Sequence, residues 1–303
     1  MTLTSLQSQV FTPNSLRQVK ELRAGKFEPQ FQIFFCDDVE DLMKHYFHDF
    51  TAEGVAEPYR LYTGSWRTPT TVKYFGLSED TLHSDSGFVL VKLQKPRLTV
   101  RTLIIIIIII IVIIIMPRLT VRTEGEPKLM PEAAREFSKI RIGDEESVKS
   151  FTEDFGSHYI RSLTVGDAVY QILALDRSKY MRARQEVLVD KKVTDFNQIY
   201  EQFLAPWMVK ESGAVQAASG DPRVKALLDT RAVTKTQFSS YPSIFEIRKN
   251  ARLLDELEFL TDGTQAITAL SFRSIGALLP SVQAQDYYNE IVNTQLALWE
   301  VNI

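Results

Sequence analysis

The chain has 303 residues, 45% hydrophobic and 24% charged, the proportions of a globular protein long enough to bury one large core or two modest ones. A formal charge of −3 gives no electrostatic footing for general nucleic-acid binding. Cys36 is the single cysteine, which excludes an internal disulfide; that pattern is commonest in reducing compartments and is compatible with export. No Asn-x-Ser/Thr acceptor occurs, and Met1-Thr-Leu-Thr-Ser-Leu-Gln-Ser has no basic segment followed by an apolar run, so it does not read as a signal peptide. On that reading the protein is intracellular or the chain starts inside a longer one.

Residues 1–30 form a polar extension broken by Pro13 and Pro29, expected to be poorly structured, in which Leu16, Val19, Lys20 and Arg23 allow at most a short helix. Phe31 to Cys36 reads as a buried strand. Asp37 or Asp38 then caps an amphipathic helix, with Val39, Leu42, Met43, Tyr46, Phe47 and Phe50 on one stripe. Tyr59 to Trp66 is predicted as a strand ending in a turn, and Phe88 to Leu93 as a further strand.

Leu103 to Met116 is a run of fourteen apolar residues, nearly all isoleucine. As a helix it would reach about 21 Å against a hydrocarbon core of about 30 Å, which makes a membrane segment the least favoured of its readings. Its flanks repeat letter for letter: Pro96 to Thr102 and Pro117 to Thr123 share one heptapeptide, and deleting the 21-residue unit Pro96 to Met116 leaves a smooth strand-like sequence. An exact direct repeat around a homopolymer has the form of a replicated or mis-joined coding segment, or of a tolerated low-complexity loop. Exposed, the run is a β-aggregation hazard.

Glu126 to Phe137 is a connector running into helix-like sequence. Val148, Phe151 and Phe155 then mark one helical stripe, which Asp144 can cap and Gly156 can end. After Ser157, His158 and Tyr159 the sequence to Leu175 is strand-like, interrupted at Gly166, where a strand bulges or bends. A short helix thus feeds a long, kinked strand through a tight glycine corner. Arg177 to Lys192 is rich in arginine and lysine, broken by Asp176, Glu186 and Asp190, and reads as a solvated helix face or a contact for an anionic surface. Thr194 is placed to cap a helix carrying Phe196, Ile199, Tyr200 and Phe203. Thr230 to Ile247 is β-rich but holds Pro242, which suits an edge or bent strand. Leu253, Leu254, Leu257 and Leu260 make another helix, and Ser281 caps a last one with Tyr288, Ile291, Val292, Leu296 and Trp299 on one face.

Phe155-Gly156-Ser157-His158-Tyr159 resembles the signature of the membrane-attack-complex/perforin (MACPF) family, Phe-Gly-Thr-His-(Phe or Tyr), with serine where threonine is usual. Phe155, Gly156, Ser157, His158, Tyr159 and Gly166 are then structural signature residues. The resemblance implies an α+β fold: a bent antiparallel sheet of four long strands flanked by helical clusters, which in pore formers unfurl into membrane-spanning hairpins. Mapped on this chain, the domain is residues 31–303, with 103–116 an insertion. Strands near 59–66 and 88–95, the latter continued by 117–123, precede the motif; the bent strand 159–175 follows; helical segments 176–225 come next; a strand near 230–247 closes the sheet. Within the family, Phe203 to Trp207, Ala214 to Ser219, Thr63 to Trp66 and Leu298 to Asn302 are similar to a secreted insect branch that acts in extracellular receptor signalling. That likeness implies a non-enzymatic, secreted protein, with extracellular signalling proteins or extracellular matrix as partners, a membrane surface as a further contact, no nucleic acid and no cofactor.

The residues themselves carry no Gly-x-Gly-x-x-Gly, Walker, His-Glu-x-x-His or Gly-x-Ser-x-Gly pattern, so no catalytic set is assigned. Asp41, His45 and His48 share one side of the first helix, close enough for a cation, but a plain solvated face beside Lys44 accounts for them better, and no metal site is assigned. Ser157 and His158 as adjacent strand residues would point to opposite faces, which argues for corner-fixing over a nucleophile–base pair. For a lytic pore, residues 176–230 must become alternating strands. Pro206, Pro222, Gly213, Gly220 and the 3.6-residue period of Phe196 to Phe203 oppose that, whereas pore formation remains the alternative function.

Overall fold

The computed structural model describes residues 20–23, 30–101, 128–218, 222–231, 233–235, 240–260 and 266–301. Leu103 to Met116, the second heptapeptide and most of the N-terminal extension lie outside these residues.

Two long antiparallel strands form the spine: β4 (Ser86–Arg101) and β5 (His158–Asp176) pair along nearly their whole length. Their outer neighbours change half-way. On β4, β2 (Gln30–Cys36) covers residues 88–94 and β1 (Lys20–Arg23) covers 98–101. On β5, β10 (Ala266–Ser274) covers 158–166, whereas the short strands β6 (Glu211–Ser212) and β7 (Gln216–Ala218) cover 168–174. Both changes occur at the level of Pro96 and Gly166, where the β4–β5 register slips by one residue. A proline without an amide hydrogen and a glycine without a side chain face each other there, as a bulge requires. The kink expected at Gly166 is therefore a joint feature of both spine strands. β3 (Phe50–Ala52) pairs in parallel with β10 at the far edge.

The bulk of the near half is buried on both faces. Val89, Val91, Leu93, Val169, Leu173 and Leu175 point to one side, and Phe88, Leu90, Tyr170, Ile172 and Ala174 to the other. That is the period-two rule applied to a sheet covered twice, and it explains the almost unbroken apolar runs. One face is covered by α7 (Arg177–Arg184), the π-helical turn Gln185–Val189, α8 (Phe196–Ile199) with its π-helical extension Tyr200–Leu204, α9 (Pro222–Arg231), α10 (Ile244–Lys249) and α11 (Ala251–Leu260). The other is covered by α1 (Val39–Tyr46), α3 (Thr68–Phe75) and α4 (Glu79–His83), with α2 (Arg60–Thr63) between α1 and α3 in sequence. A separate core joins α5 (Pro131–Phe137), α6 (Glu145–Phe155) and α12 (Val282–Val301) at the start of β5.

Several expectations change. The first helix ends at Tyr46, with Phe47 as its C-cap, and Phe50, expected on its stripe, opens β3. Tyr59 to Trp66 is not a strand: α2 and a turn occupy it, and its aromatic residues serve a cluster in which Tyr62 stacks on Phe47 at 5.3 Å. Residues 230–247 do not close the sheet. Arg231 ends α9, β8 (Val233–Lys235) and β9 (Ser240–Pro242) form a separate two-stranded ribbon, and α10 begins at Ile244. The closing strand is β10, in the stretch between the leucine-rich helix α11 and the last helix, where the sequence suggested no element. Lys20 to Arg23 is strand and not helix, because the exposed edge of β4 supplies hydrogen bonds that an isolated turn lacks. Asp195, not Thr194, caps α8, accepting from Asn197 and Gln198 at 2.9 and 3.1 Å.

Candidate functional site

The signature corner is built from α6 outward. Asp144 accepts from the Ser147 amide at 3.3 Å and starts the helix. Val148, Phe151 and Phe155 are buried on one stripe, with Phe151 and Phe155 rings 5.1 Å apart. Gly156 ends the helix at φ 79°, ψ 169°, a region open essentially to glycine alone, while its N–H donates to Thr152 at 3.0 Å. Two residues later, at His158, β5 begins.

His158 locks this corner. Its Nε2 lies 2.8 Å from the Glu53 carbonyl, which can only accept, so Nε2 carries the proton and Nδ1 accepts from the Ser157 hydroxyl at 3.0 Å. Ser157 and His158 do meet, contrary to the strand-alternation expectation, because Ser157 lies before the strand, where alternation does not apply. Burial lowers the His158 pKa and outweighs the opposing pull of the Glu53 carbonyl, so the ring is held neutral. The Ser157 carbonyl accepts from the Ile275 amide at 3.0 Å and from the Tyr288 hydroxyl at 3.4 Å. Ser274 donates to Asn289 at 2.8 Å, and Asn293 donates to the Gly54 carbonyl. The signature residues thereby fasten α6, β5, the loop after β3 and α12 to one another. A shallow open groove of about 630 Å³ lies alongside, lined by Gly54, Asp286, Asn289, Glu290, Asn293 and Thr294.

At the opposite end of β5, residues 177–210 connect β5 to β6, its antiparallel neighbour, so this helical insertion sits topologically at the tip of a hairpin. It is firmly docked. The Tyr180 ring is fully buried against Gly87 of β4, where an added Cβ would lie 2.1 Å from the ring carbon Cγ. The Tyr180 hydroxyl donates to the Asp37 carboxylate at 2.8 Å, and Arg177 donates to the Asp37 carbonyl at 2.8 Å and to Asp85 at 2.9 Å. The basic run is largely neutralised within itself: Arg182 pairs with Glu186 at 2.8 Å, Lys192 with Asp190 at 2.7 Å and Lys179 with Asp176 at 3.5 Å. That is the solvated face expected of it. Met181, Leu188, Val189 and Trp207 are the large apolar side chains that the insertion leaves exposed, Trp207 at 73%. Among the described residues, no helix is long and apolar enough to cross a membrane.

Of the three polar residues considered for a cation, Asp41 and His45 face each other, Oδ1 to Nε2, at 3.6 Å. His48 instead turns to Asp49, 3.1 Å away. The residue that completes the cluster is Cys36, which the helix-face pattern alone did not include. Its position at the strand end, two residues before the helix cap, was the available signal.

No family model matches the chain, and no curated protein matches it. Among solved structures, GNIP1Aa from Chromobacterium piscinae aligns over 94% of this chain and 48% of its own, with a TM-score of 0.51 at 7% identity. The helix, glycine corner and bent spine strand stand in the order that the signature implies. The fold is MACPF-like. A protein with a MAC/Perforin domain from Bacteroides thetaiotaomicron aligns over 91% of this chain and 51% of its own, with a TM-score of 0.38 at 9% identity. Astrotactin-2, described as a vertebrate-specific, perforin-like membrane protein involved in neuronal development, aligns over 96% and 42% with a TM-score of 0.36 at 8% identity. The chain thus spans about half the length of these neighbours.

Proposed function

We propose that this MACPF-like protein is a non-enzymatic, secreted component of extracellular signalling that acts through surface contacts, in the manner of Torso-like, the insect perforin-like protein needed for local activation of the Torso receptor tyrosine kinase in embryonic terminal patterning. The observation that carries the reading is the state of residues 177–210. Their side chains are committed to the helical dock: Tyr180 and Ala183 are buried, Ile199, Phe203 and Leu204 follow helical spacing into the core, and Lys179, Arg182 and Lys192 are paired with carboxylates. A lytic hairpin needs alternating apolar and polar residues over each leg, and this pattern does not supply them. The stretches Phe203 to Trp207, Ala214 to Ser219 and Thr63 to Trp66 support the signalling branch by their likeness to it. Extracellular proteins or matrix are the partners this reading requires, with the exposed Trp207 a contact for a membrane surface.

The second reading is a membrane-inserting pore former, favoured by one observation: the helical insertion joins two antiparallel neighbours, the connectivity an extending hairpin needs. Two assays on the same preparation separate them. The first reading predicts raised receptor phosphorylation in cells that carry the receptor kinase and its ligand, with no dye release from liposomes. Leakage with ring assemblies, or unchanged phosphorylation, overturns it.

A further inference from the structure

We propose that Cys36, Asp41 and His45 form a binding site for a divalent transition metal of zinc type at the junction of β2 and α1, with a fourth position open to water or an outside ligand. The chain brings them together by simple geometry. Cys36 ends β2, Asp38 caps α1 two residues later by accepting from the Asp41 amide at 2.8 Å, and Asp41 and His45 are one helical turn apart. A thiol sulfur, a carboxylate oxygen and an imidazole nitrogen therefore lie within 4.8 Å of one another.

The separations suit a shared ion better than direct bonds. Asp41 Oδ1 and His45 Nε2 are 3.6 Å apart, too far for a hydrogen bond. Bonds of about 2.0 to 2.3 Å to a tetrahedral ion place ligand atoms roughly 3.3 to 3.8 Å apart, so side-chain rotations of about 1 Å complete the set. The donors, one sulfur, one nitrogen and one oxygen, match zinc and not calcium or magnesium, which take oxygen ligands.

Surrounding groups already orient the ligands. The second Asp41 oxygen accepts from the Asp37 amide at 3.0 Å, which leaves Oδ1 to face the cluster. The His45 ring stacks on Phe34 at 5.1 Å and 28°. Cys36 is fully buried, whereas Asp41 and His45 are part-exposed, so an ion enters past the helix and meets the thiol at the bottom. Burial and the nearby carboxylates of Asp41, Asp37 and Asp38 push the Cys36 thiol up, and a bound dication opposes both effects by stabilising the thiolate. Binding then transfers the Cys36 proton to solvent and forms a metal–sulfur bond, with no change of oxidation state.

The test is titration of the purified chain with cobalt(II) chloride, followed by displacement with zinc chloride. One equivalent is expected to produce a thiolate-to-cobalt charge-transfer band and tetrahedral visible bands, which zinc abolishes. Cys36→Ala removes the charge-transfer band, and the surface variant His45→Gln lowers affinity at least about tenfold. His48→Gln leaves affinity within about twofold. Absence of the band in the wild-type chain, its survival in Cys36→Ala, or a loss in His48→Gln equal to that in His45→Gln would overturn the site.

Discussion

Gly87→Ala tests how the helical insertion is fixed to the sheet. The new Cβ would fall 2.1, 2.4 and 2.5 Å from Tyr180 Cγ, Cδ2 and Cδ1, distances that force movement. The glycine lies in β4, paired with Leu175 of β5, and the ring has no exposed surface into which to retreat. Overpacking of a tight core costs about 1–3 kcal/mol. Displacing the ring also strains the Tyr180 hydrogen bond to the Asp37 carboxylate, and bonds to charged groups are worth about 1.5–3 kcal/mol. A destabilisation of about 2–4 kcal/mol is expected, measured by urea unfolding at constant m-value. Tyr180→Ala alone should cost about 3–5 kcal/mol through the cavity it leaves. The double variant should cost less than the two singles together by at least 1 kcal/mol, because the added methyl occupies space the ring has vacated. A Gly87→Ala cost below about 0.5 kcal/mol, or strict additivity, would refute the reasoning.

Gly156→Ala places a side chain at φ 79°, ψ 169° and should cost about 1–3 kcal/mol in urea unfolding, whereas Gly143→Ala, at φ 88° with nothing within 4 Å of its added Cβ, gives the backbone cost alone. Asp49→Ala leaves the nearly buried Lys92 ammonium and the Gln94 amide without their shared acceptor at 2.9 and 2.8 Å; a loss of about 3–5 kcal/mol is expected, of which Lys92→Met in the same background should recover a large part. Burial lowers the pKa of His158 and His48 from the ordinary value near 6.5, so the unfolded chain takes up protons first as pH falls. Their share of stability is full above about pH 6.5 and is lost progressively below it, down to the folded values. Unfolding free energies measured from pH 8 to 5 should show that decline, and His158→Gln should show a shallower one.

The spine was legible in the sequence because each feature has a local cause. Asp144 and Gly156 punctuate α6, and the residues after Tyr159, rich in Tyr, Ile, Leu, Val and Thr, read as a strand that bends at Gly166. Phe31 to Cys36 was legible as β2, but β1 and β10 were not, because a strand of weak pattern is selected by partners distant in sequence. β10 exists because the first half of β5 needs a neighbour, and β1 because β4 does. The Tyr59–Trp66 error has the same origin: aromatic residues favour strands in isolation, but here they pack as a cluster against α1. At the candidate sites, the His158 corner was visible as a motif, whereas its bond to the Glu53 carbonyl spans 105 positions. The Tyr180–Gly87 contact likewise depends on which strand lies beside which helix, whereas the Cys36 cluster is local to the β2–α1 junction.

Hydrogen–deuterium exchange over residues 177–204, with and without anionic liposomes, probes most directly whether this insertion remains a docked helical unit. Protection unchanged by vesicles, as strong around Tyr180 as in β5, is the predicted result. Protection that collapses in 177–204 on contact with lipid while β5 stays closed would contradict the non-lytic account and favour an unfurling hairpin.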